Sequence, residues 1–160
     1  MATLTIRPAA SADCELLWKW RNDPEVRAAS FNSDMIEWAV HQRWFDARMA
    51  DSQCTILIAC DESGEAIGQV RFDLIGDGEF EIAVSIDQRH RASGYGGRLI
   101  QMTTDDFLST GELRTIHAYI KPENIASIRA FTRAGYENVG VAERRGSLCE
   151  HLVRSNHEAA

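Results

Sequence analysis

The segment Arg91-Ala92-Ser93-Gly94-Tyr95-Gly96-Gly97 decides the fold, because it joins a predicted strand to a predicted helix through three glycines. Glycine allows a tight turn in which backbone N–H groups converge at the start of the helix. Converging N–H groups at a helix N-terminus bind anions, and phosphate in particular. The sequence therefore predicts a phosphate site at this turn.

Two common phosphate-binding motifs do not fit this segment. The Gly-Lys-Ser/Thr of a P-loop is absent, and Leu99 stands where a dinucleotide-binding fingerprint needs its third glycine. The turn also follows an antiparallel meander instead of opening a βαβ unit. A different α/β fold is expected.

The meander is indicated by a period of two in the sequence before the turn. Alternating residues predict strands at 54–60, 66–75 and 79–87, separated by glycine-containing turns. In the third strand one face is apolar, with Phe80, Ile82, Val84 and Ile86, and the other is small and polar, with Glu79, Glu81, Ala83 and Ser85. The polar face is the one available for chemistry.

The remaining elements are predicted from helical spacing and capping residues. A strand at 4–7 is followed by a helix capped by Ser11, a short helical turn from Pro24 and a helix to about Met49 with Ile36, Val40 and Trp44 on its apolar side. After the glycine turn come a helix at 95–108, a strand at 115–120, a helix opening at 122–124 and two final strands. The predicted fold is α/β, a mixed, mostly antiparallel central sheet flanked by helices in the order β-α-α-β-β-β-α-β-α-β-β.

Length and charge limit what the protein can be. The 160 residues suit one domain, 1–160, with 155–160 expected to be a frayed tail. A net charge of −7 argues against a nucleic-acid partner. The sequence shows no secretion signal and no membrane span, so a cytoplasmic protein without a membrane partner is expected.

The cysteines predict no metal site. Cys14, Cys54, Cys60 and Cys149 form no C-x-x-C pair and lack the histidine spacing of a zinc site. They are expected to be reduced thiols that pack as small apolar residues.

Two further motifs carry a family resemblance. Arg91, Gly94 and Gly96 are followed some thirty residues later by Asn124-Ile125-Ala126-Ser127 and then by Ala134-Gly135-Tyr136. This combination, in this strand order, resembles the GCN5-related N-acetyltransferases (GNAT) along nearly the whole chain. The resemblance implies transfer of an acetyl group from acetyl-CoA to a primary amine of a small molecule.

The resemblance also implies a CoA site. The backbone of Val84 and Ile86 would pair with the pantetheine arm like an added strand, and Asn124 and Ser127 would line that arm. The backbone amides that would hold the pyrophosphate are those of Arg91, Ala92, Ser93, Gly94, Tyr95 and Gly96. For Asn124, helix capping is the alternative role.

Catalysis needs a base, because an alkylamine with a pKa near ~10.4 is mostly protonated at neutral pH. The resemblance implies that Glu81 is the base, since the family often places a base carboxylate there, on the polar face of this strand about ten residues before Arg91; Glu79 and Glu123 are alternatives. An ion pair between Glu81 and Arg71 is the competing, non-catalytic explanation.

The chain departs from the family where a tyrosine often protonates the departing thiolate, since Phe131-Thr132 occupies that place. Thr132, Tyr119 or a water are the candidates to replace it. The missing tyrosine also leaves a catalytically inactive CoA-binding domain as an alternative.

The resemblance implies that the acceptor binds the segment between the first strand and the meander, which usually builds the acceptor cleft in this family and here holds all four tryptophans. Trp18, Arg21, Arg43 and Arg71 are the predicted acceptor-binding residues, since a nucleobase needs an aromatic surface and a diphosphate needs arginine. Together with residues 68–73 in the second strand of the meander, which include Arg71, the segment is similar to acetyltransferases that act on a UDP-linked 4-amino sugar in nonulosonic (pseudaminic) acid biosynthesis. Acetyltransferases of ribosomal-protein N-termini and of polyamines are the runner-up, and formation of a homodimer is left open.

Overall fold

The computed structural model describes residues 3–157 and has an α/β fold, as predicted. The strands of this part are β1 (Thr5–Pro8), β2 (Cys54–Cys60), β3 (Ala66–Gly76), β4 (Glu79–Ile86), β5 (Thr115–Ile120), β6 (Glu137–Arg144) and β7 (Ser147–Ser155). The α-helices are α1 (Cys14–Asn22), α2 (Pro24–Ala29), α3 (Trp38–Ala50), α4 (Tyr95–Leu108) and α5 (Ile125–Arg133). Short 3₁₀ turns cover Ser11–Asp13 and Gln88–His90. Among these residues no helix combines the length and apolar character that crossing a membrane requires.

The seven strands form one sheet in the order β1-β2-β3-β4-β5-β7-β6. All neighbours are antiparallel except β4 and β5, which run parallel. That parallel pair extends only from Glu79 to Glu81 on β4 and from Thr115 to His117 on β5. Beyond these residues the two strands separate, and we call the space between residues 82–86 and 118–120 the β4–β5 cleft.

One side of the sheet, the α4/α5 face, holds the main apolar core. The alternation predicted for β4 is confirmed, since Ile82, Val84 and Ile86 pack into this core. Phe107 of α4 stacks on Phe72 with ring centroids 4.1 Å apart. Burial of each of these large side chains contributes about 1.5–3 kcal/mol to holding the sheet beneath the glycine turn.

The opposite side, the α1/α3 face, has a smaller core around β2. Leu17, Trp20 and Phe45 pack there against Ile56, Ile58 and Cys60. The predicted apolar side of the third helix was wrong by one residue: Val40 is 44% exposed, whereas His41 and Phe45 are 1% exposed. The rest of this face, over β3, β4 and β5, remains polar.

Two predicted termini also differ from the structure. Ser11 does not cap α1, because Asp13 folds back to accept a hydrogen bond from the Ala10 N–H at 2.7 Å and pairs with Arg7. The expected frayed tail was wrong for residues 155–157: Ser155 ends β7, and Asn156 bonds to Arg114 N–H and to the carbonyls of Leu108 and Glu112. Residues 158–160 of the expected tail lie outside the described residues.

Candidate functional site

The glycine turn leaves its backbone amides open at the start of α4. Gly94 is the N-cap residue and has a φ of +80°, which glycine adopts without strain. Within residues 3–157, the N–H groups of residues 91–96 donate to no protein oxygen. A Cβ added at Gly96 would meet only the Ile86 side chain, at 3.8 Å. The turn therefore presents free donors and open space, as an anion site requires.

The side chain of Arg91, unlike its backbone N–H, is already bound to other parts of the protein. Its guanidinium pairs with Asp23 at 3.1 Å and with Glu25 at 2.9 Å, both at the start of α2, and donates to the carbonyl of Ile86 at 3.1 Å. Arg91 therefore ties the turn to α2 and to the end of β4. Only its backbone remains available for an anion.

The β4–β5 cleft agrees with the splayed strands that a pantetheine arm requires. Val84 and Ile86 lie on the β4 side of the cleft, at the end nearer the glycine turn. Asn124 caps α5 by accepting a hydrogen bond from the Ser127 N–H at 3.3 Å, so the capping role considered for it is present. The cleft leads from the open amides to Glu81 and His117, where β4 and β5 meet.

Glu81 lies at this meeting point and forms an ion pair with Arg144 at the end of β6. The ion pair with Arg71 considered from the sequence is absent, because Arg71 binds Asp73 at 2.8 Å. Arg144 also lies over the ring of Tyr119, 4.2 Å from its centroid. Glu81 is 26% exposed in its side chain, so a substrate amine has access to it.

The structure also shows where the alternative bases and the alternative proton donors named from the sequence lie. Glu79 is on the α1/α3 face two residues from Glu81, whereas Glu123 is exposed in the turn before α5. Thr132 donates its hydroxyl to the carbonyl of Ile128 at 2.8 Å. Burial raises the pKa of Tyr119, so this phenol remains protonated and able to donate.

Two histidines that the sequence analysis did not consider complete this region. His117 Nε2 lies 2.7 Å from Glu79 Oε2, and His117 Nδ1 lies 2.8 Å from His151 Nε2. The alternation of β5 was the available signal, since His117 and Tyr119 alternate with buried Ile116, Ala118 and Ile120. Their contact with His151 depends on the pairing of β5 with β7.

An arginine cluster lies beside Glu81 on the same face of the sheet. The guanidinium carbons of Arg21, Arg48 and Arg71 lie 5.1, 5.7 and 5.0 Å from the ring centroid of Trp44. Arg48 and Arg71 share Asp73, at 2.8 Å each. We define the cluster as these three arginines plus Arg145, whose charge acts on Arg21.

Arg21 and Arg145 are the members of the cluster without a carboxylate partner among the described residues, and of these two Arg21 is partly buried whereas Arg145 is exposed. Burial lowers the pKa of the Arg21 guanidinium, and the neighbouring charges of Arg71, Arg145 and Arg48 act in the same direction. A half-buried cation surrounded by other cations is a site for an anion.

The other predicted acceptor residues differ in position. Arg43 is exposed and outside the cluster, and Arg48, five residues further along α3, lies in the cluster in its place. Trp18 donates its indole N–H to the carbonyl of Ile36 at 2.8 Å and packs edge-on against Trp38.

A separate acidic group lies away from this face. Asp61, Glu65 and His90 place possible ligand atoms within 4.8 Å of one another. Glu65 is already paired with Arg89 at 2.9 Å, and Asp61 accepts hydrogen bonds from Ser63. These contacts stabilise the turn between β2 and β3.

Comparison with known proteins agrees with this geometry. The profile of the acetyltransferase (GNAT) domain family matches residues 3–137. The L-methionine sulfoximine/L-methionine sulfone acetyltransferase of Pseudomonas paraeruginosa is 32% identical over 145 residues, which cover 85% of this chain and 81% of that protein. An uncharacterized N-acetyltransferase, p20, of Bacillus licheniformis is 26% identical and covers 86% of this chain and 81% of its own length.

Solved structures share the fold at low sequence identity. Aminoglycoside acetyltransferase AAC(6′)-Ib, solved with coenzyme A and kanamycin, superposes with a TM-score of 0.82 over 96% of this chain and 95% of that chain, at 20% identity. Spermidine N-acetyltransferase of Vibrio cholerae, solved with CoA and spermine, gives 0.85 over 96% and 95%, at 16% identity. The chain therefore belongs to the GNAT acetyltransferase domain family and is an acetyl-CoA-dependent N-acetyltransferase.

Proposed function

We propose that this enzyme acetylates the primary amine of a small molecule that also carries an anionic group. The observation that carries the proposal is Arg21, a half-buried cation with no carboxylate partner in the described chain. Arg71 of the same cluster pairs in register with Ala83, two residues from Glu81. An anion held by the cluster would place an amine on the same molecule near Glu81.

Acetyl-CoA is proposed to bind along β4. The open amides of residues 91–96 would hold its pyrophosphate, and its pantetheine arm would lie in the β4–β5 cleft beside Val84 and Ile86, with Asn124 and Ser127 on the far side. Five residues separate Ile86 from Glu81, which is about 17 Å of extended strand. An extended pantetheine arm has a comparable length, so the thioester would arrive at Glu81.

Glu81 is proposed to take a proton from the acceptor ammonium group. The neutral amine then attacks the thioester carbonyl carbon, the new N–C bond forms and the C–S bond breaks. Arg144 would hold the Glu81 carboxylate in position for this step. The CoA thiol, with a pKa near ~8.5, leaves readily as the thiolate, and Tyr119 is the proposed donor of its proton.

The first candidate acceptor is an amino acid derivative whose α-carboxylate binds the cluster. A relative at 32% identity is an L-methionine sulfoximine/L-methionine sulfone acetyltransferase, and compounds of that class carry such a carboxylate beside the amine. A carboxylate matches the planar guanidinium of Arg21 in a bidentate pair. This candidate needs no aromatic surface, which suits the arginines that surround Trp44.

The UDP-linked 4-amino sugar remains the second candidate. The number of arginines favours it, because a diphosphate could engage several members of the cluster at once. The nucleobase, however, would need an aromatic surface other than Trp44, and exposed Trp38 is the one nearby. Polyamines are disfavoured, because a polycation would be repelled by the same four arginines.

A parallel acceptor screen tests the proposal. Acetyl transfer is measured by release of the CoA thiol with L-methionine sulfone, a UDP-4-amino-4,6-dideoxy sugar, spermidine and a peptide N-terminus. Turnover of the sulfone is expected, and turnover of the nucleotide sugar alone would favour the second candidate. If only spermidine or the peptide were acetylated, the anionic acceptor would be wrong, and no transfer to any amine would favour an inactive CoA-binding domain.

A further inference from the structure

Glu79, His117 and His151 form a continuous hydrogen-bonded chain across the α1/α3 face. The three residues belong to β4, β5 and β7, and the two links are 2.7 Å and 2.8 Å long. The Glu79 side chain is 43% exposed, whereas that of His117 is 17% exposed. Neither histidine has a role in the mechanism described above.

The Glu79 carboxylate determines which atom donates in each of these two hydrogen bonds. An ionised carboxylate only accepts hydrogen bonds, so His117 Nε2 must carry the proton that it shares with Glu79. His117 Nδ1 is then an acceptor, and the proton between the two imidazoles belongs to His151 Nε2. The Nδ1 of His151 is left with a free lone pair, and no atom of residues 3–157 donates to it.

The reaction requires a second proton acceptor. Conversion of an ammonium group to an acetamide removes two protons from the nitrogen. One of them ends on the CoA sulfur, and the other is released to water. Glu81, paired with Arg144, is suited to the proton that stays within the site, since that proton can replace the one that Tyr119 gives to the CoA sulfur.

We propose that His151 accepts the other proton at Nδ1, and that His117 and Glu79 are positioning residues that hold it in the base-competent tautomer. The N–H bond of the acceptor nitrogen breaks and a new N–H bond forms on His151. The resulting imidazolium is stabilised through His117 by the Glu79 carboxylate, and His151 then releases its proton to water.

The position of His151 supports this role. Its ring stacks on Tyr119 with centroids 4.6 Å apart, and Tyr119 lies beneath Arg144, the partner of Glu81. His117 is the register partner of Glu81 at the last paired position of β4 and β5. His117 and His151 therefore border the point where the thioester is proposed to arrive.

The charge state of His151 is also suitable. Burial lowers the pKa of its imidazole, and the charge of Arg144 acts in the same direction, so His151 is neutral at pH 7 and free to accept a proton. The titratable and charged groups that face this region from the neighbouring strands are Glu79, Glu81, His117, Tyr119, Arg144 and Cys149.

The first test does not depend on the acceptor. Nitrogen-15 NMR of the histidine side chains in the intact protein should show a proton on Nε2 and none on Nδ1 of both His117 and His151 at pH 7. Glu79→Ala should abolish this preference, whereas Glu150→Gln, on the next position of β7, should preserve it. A proton on Nδ1 of His151 in the unmodified protein would overturn the proposal.

The second test is kinetic and uses whichever amine the acceptor screen identifies, anionic or not, so that failure of the acceptor proposal leaves it intact. His151→Ala should lower kcat roughly 10²-fold at pH 7, as loss of a general base does. Added imidazole should restore part of the rate, and His117→Gln combined with His151→Ala should cost no more than His151→Ala alone. Wild-type kcat in His151→Ala, or a loss that imidazole does not restore, would contradict the proposal.

Discussion

Arg144, the last residue of β6, forms an ion pair with Glu81 in β4, which brings the end of the β6–β7 hairpin over the point where β4 and β5 separate. The two side chains are 39% and 26% exposed, so the pair contributes little to stability. The ion pair matters instead for position, because the candidate base, the arginine cluster and the β4–β5 cleft all lie beneath this hairpin.

Replacement of Glu81 tests its role as the base. Glu81→Gln should lower the transfer rate roughly 10²-fold at neutral pH, because an amide cannot accept the amine proton. The loss should shrink as alkaline pH deprotonates the amine itself. Steady-state rates from pH 6 to 10 measure this. The assignment fails if Glu81→Gln keeps its rate while Glu79→Gln or Glu123→Gln loses it.

Gly96 tests the pyrophosphate site. Gly96→Asp should abolish acetyl-CoA binding, because it adds a negative charge where the diphosphate must approach. Gly96→Ala is the matched control and should bind far better, since its Cβ would only contact Ile86 at 3.8 Å. Calorimetric titration with acetyl-CoA separates the two, and equal affinity in Gly96→Asp and the wild type would exclude this turn.

Asp87 links stability to pH. Burial raises the pKa of its carboxyl, but hydrogen bonds from Arg89 and from the indole N–H of Trp20 outweigh burial and lower it from 3.8 to about 2. A lowered pKa means that the ionised form stabilises the fold above about pH 4 and that this contribution is lost as pH falls through about 2.

The corresponding variant is Asp87→Asn. It should reduce the free energy of unfolding by about 1–3 kcal/mol at pH 7, with a smaller difference at pH 2, where the wild-type carboxyl is half protonated. Urea denaturation at both pH values measures the effect. A difference that is the same at pH 2 and pH 7 would refute this explanation of Asp87.

Substitutions at Arg21 and Arg43 distinguish the contribution of the arginine cluster to acceptor binding from that of surface charge in general. Arg21→Lys should raise KM for an anionic acceptor, because a lysine cannot form a bidentate pair with a carboxylate or phosphate. Arg43→Lys should change KM much less, since Arg43 is exposed and outside the cluster. Initial rates at varied acceptor concentration give both values, and equal increases in the two variants would remove the cluster from acceptor binding.

Periodicity and turn residues in the sequence predicted the bounds of several strands and helices. The bounds of β2, β5 and α4 agree with the sequence, because glycine or charged turns interrupt clear periodicities at Asp61–Gly64 and at the glycine turn. The polar side of β4 was also predicted correctly, since a period of two assigns alternate residues to opposite faces.

The chemistry of the α1/α3 face was harder to predict because it depends on contacts between distant residues. His117 and His151 are 34 residues apart and meet only because β7 pairs with β5. Arg48 replaces Arg43 in the cluster because α3 is rotated by one residue from the predicted apolar side, which turns Phe45 inward and Arg43 outward. Neither fact follows from a local pattern.

The most direct test of an anionic acceptor removes the anion from the substrate and the cation from the protein together. The best amino acid substrate from the screen is compared with its analogue lacking the carboxylate, in the wild type and in Arg21→Ala. We predict that the wild type prefers the carboxylate-bearing amine by roughly 10-fold or more in kcat/KM, as one charge-assisted pair of about 1.5–3 kcal/mol allows. Arg21→Ala should lose most of that preference. An equal preference in both enzymes would contradict the account.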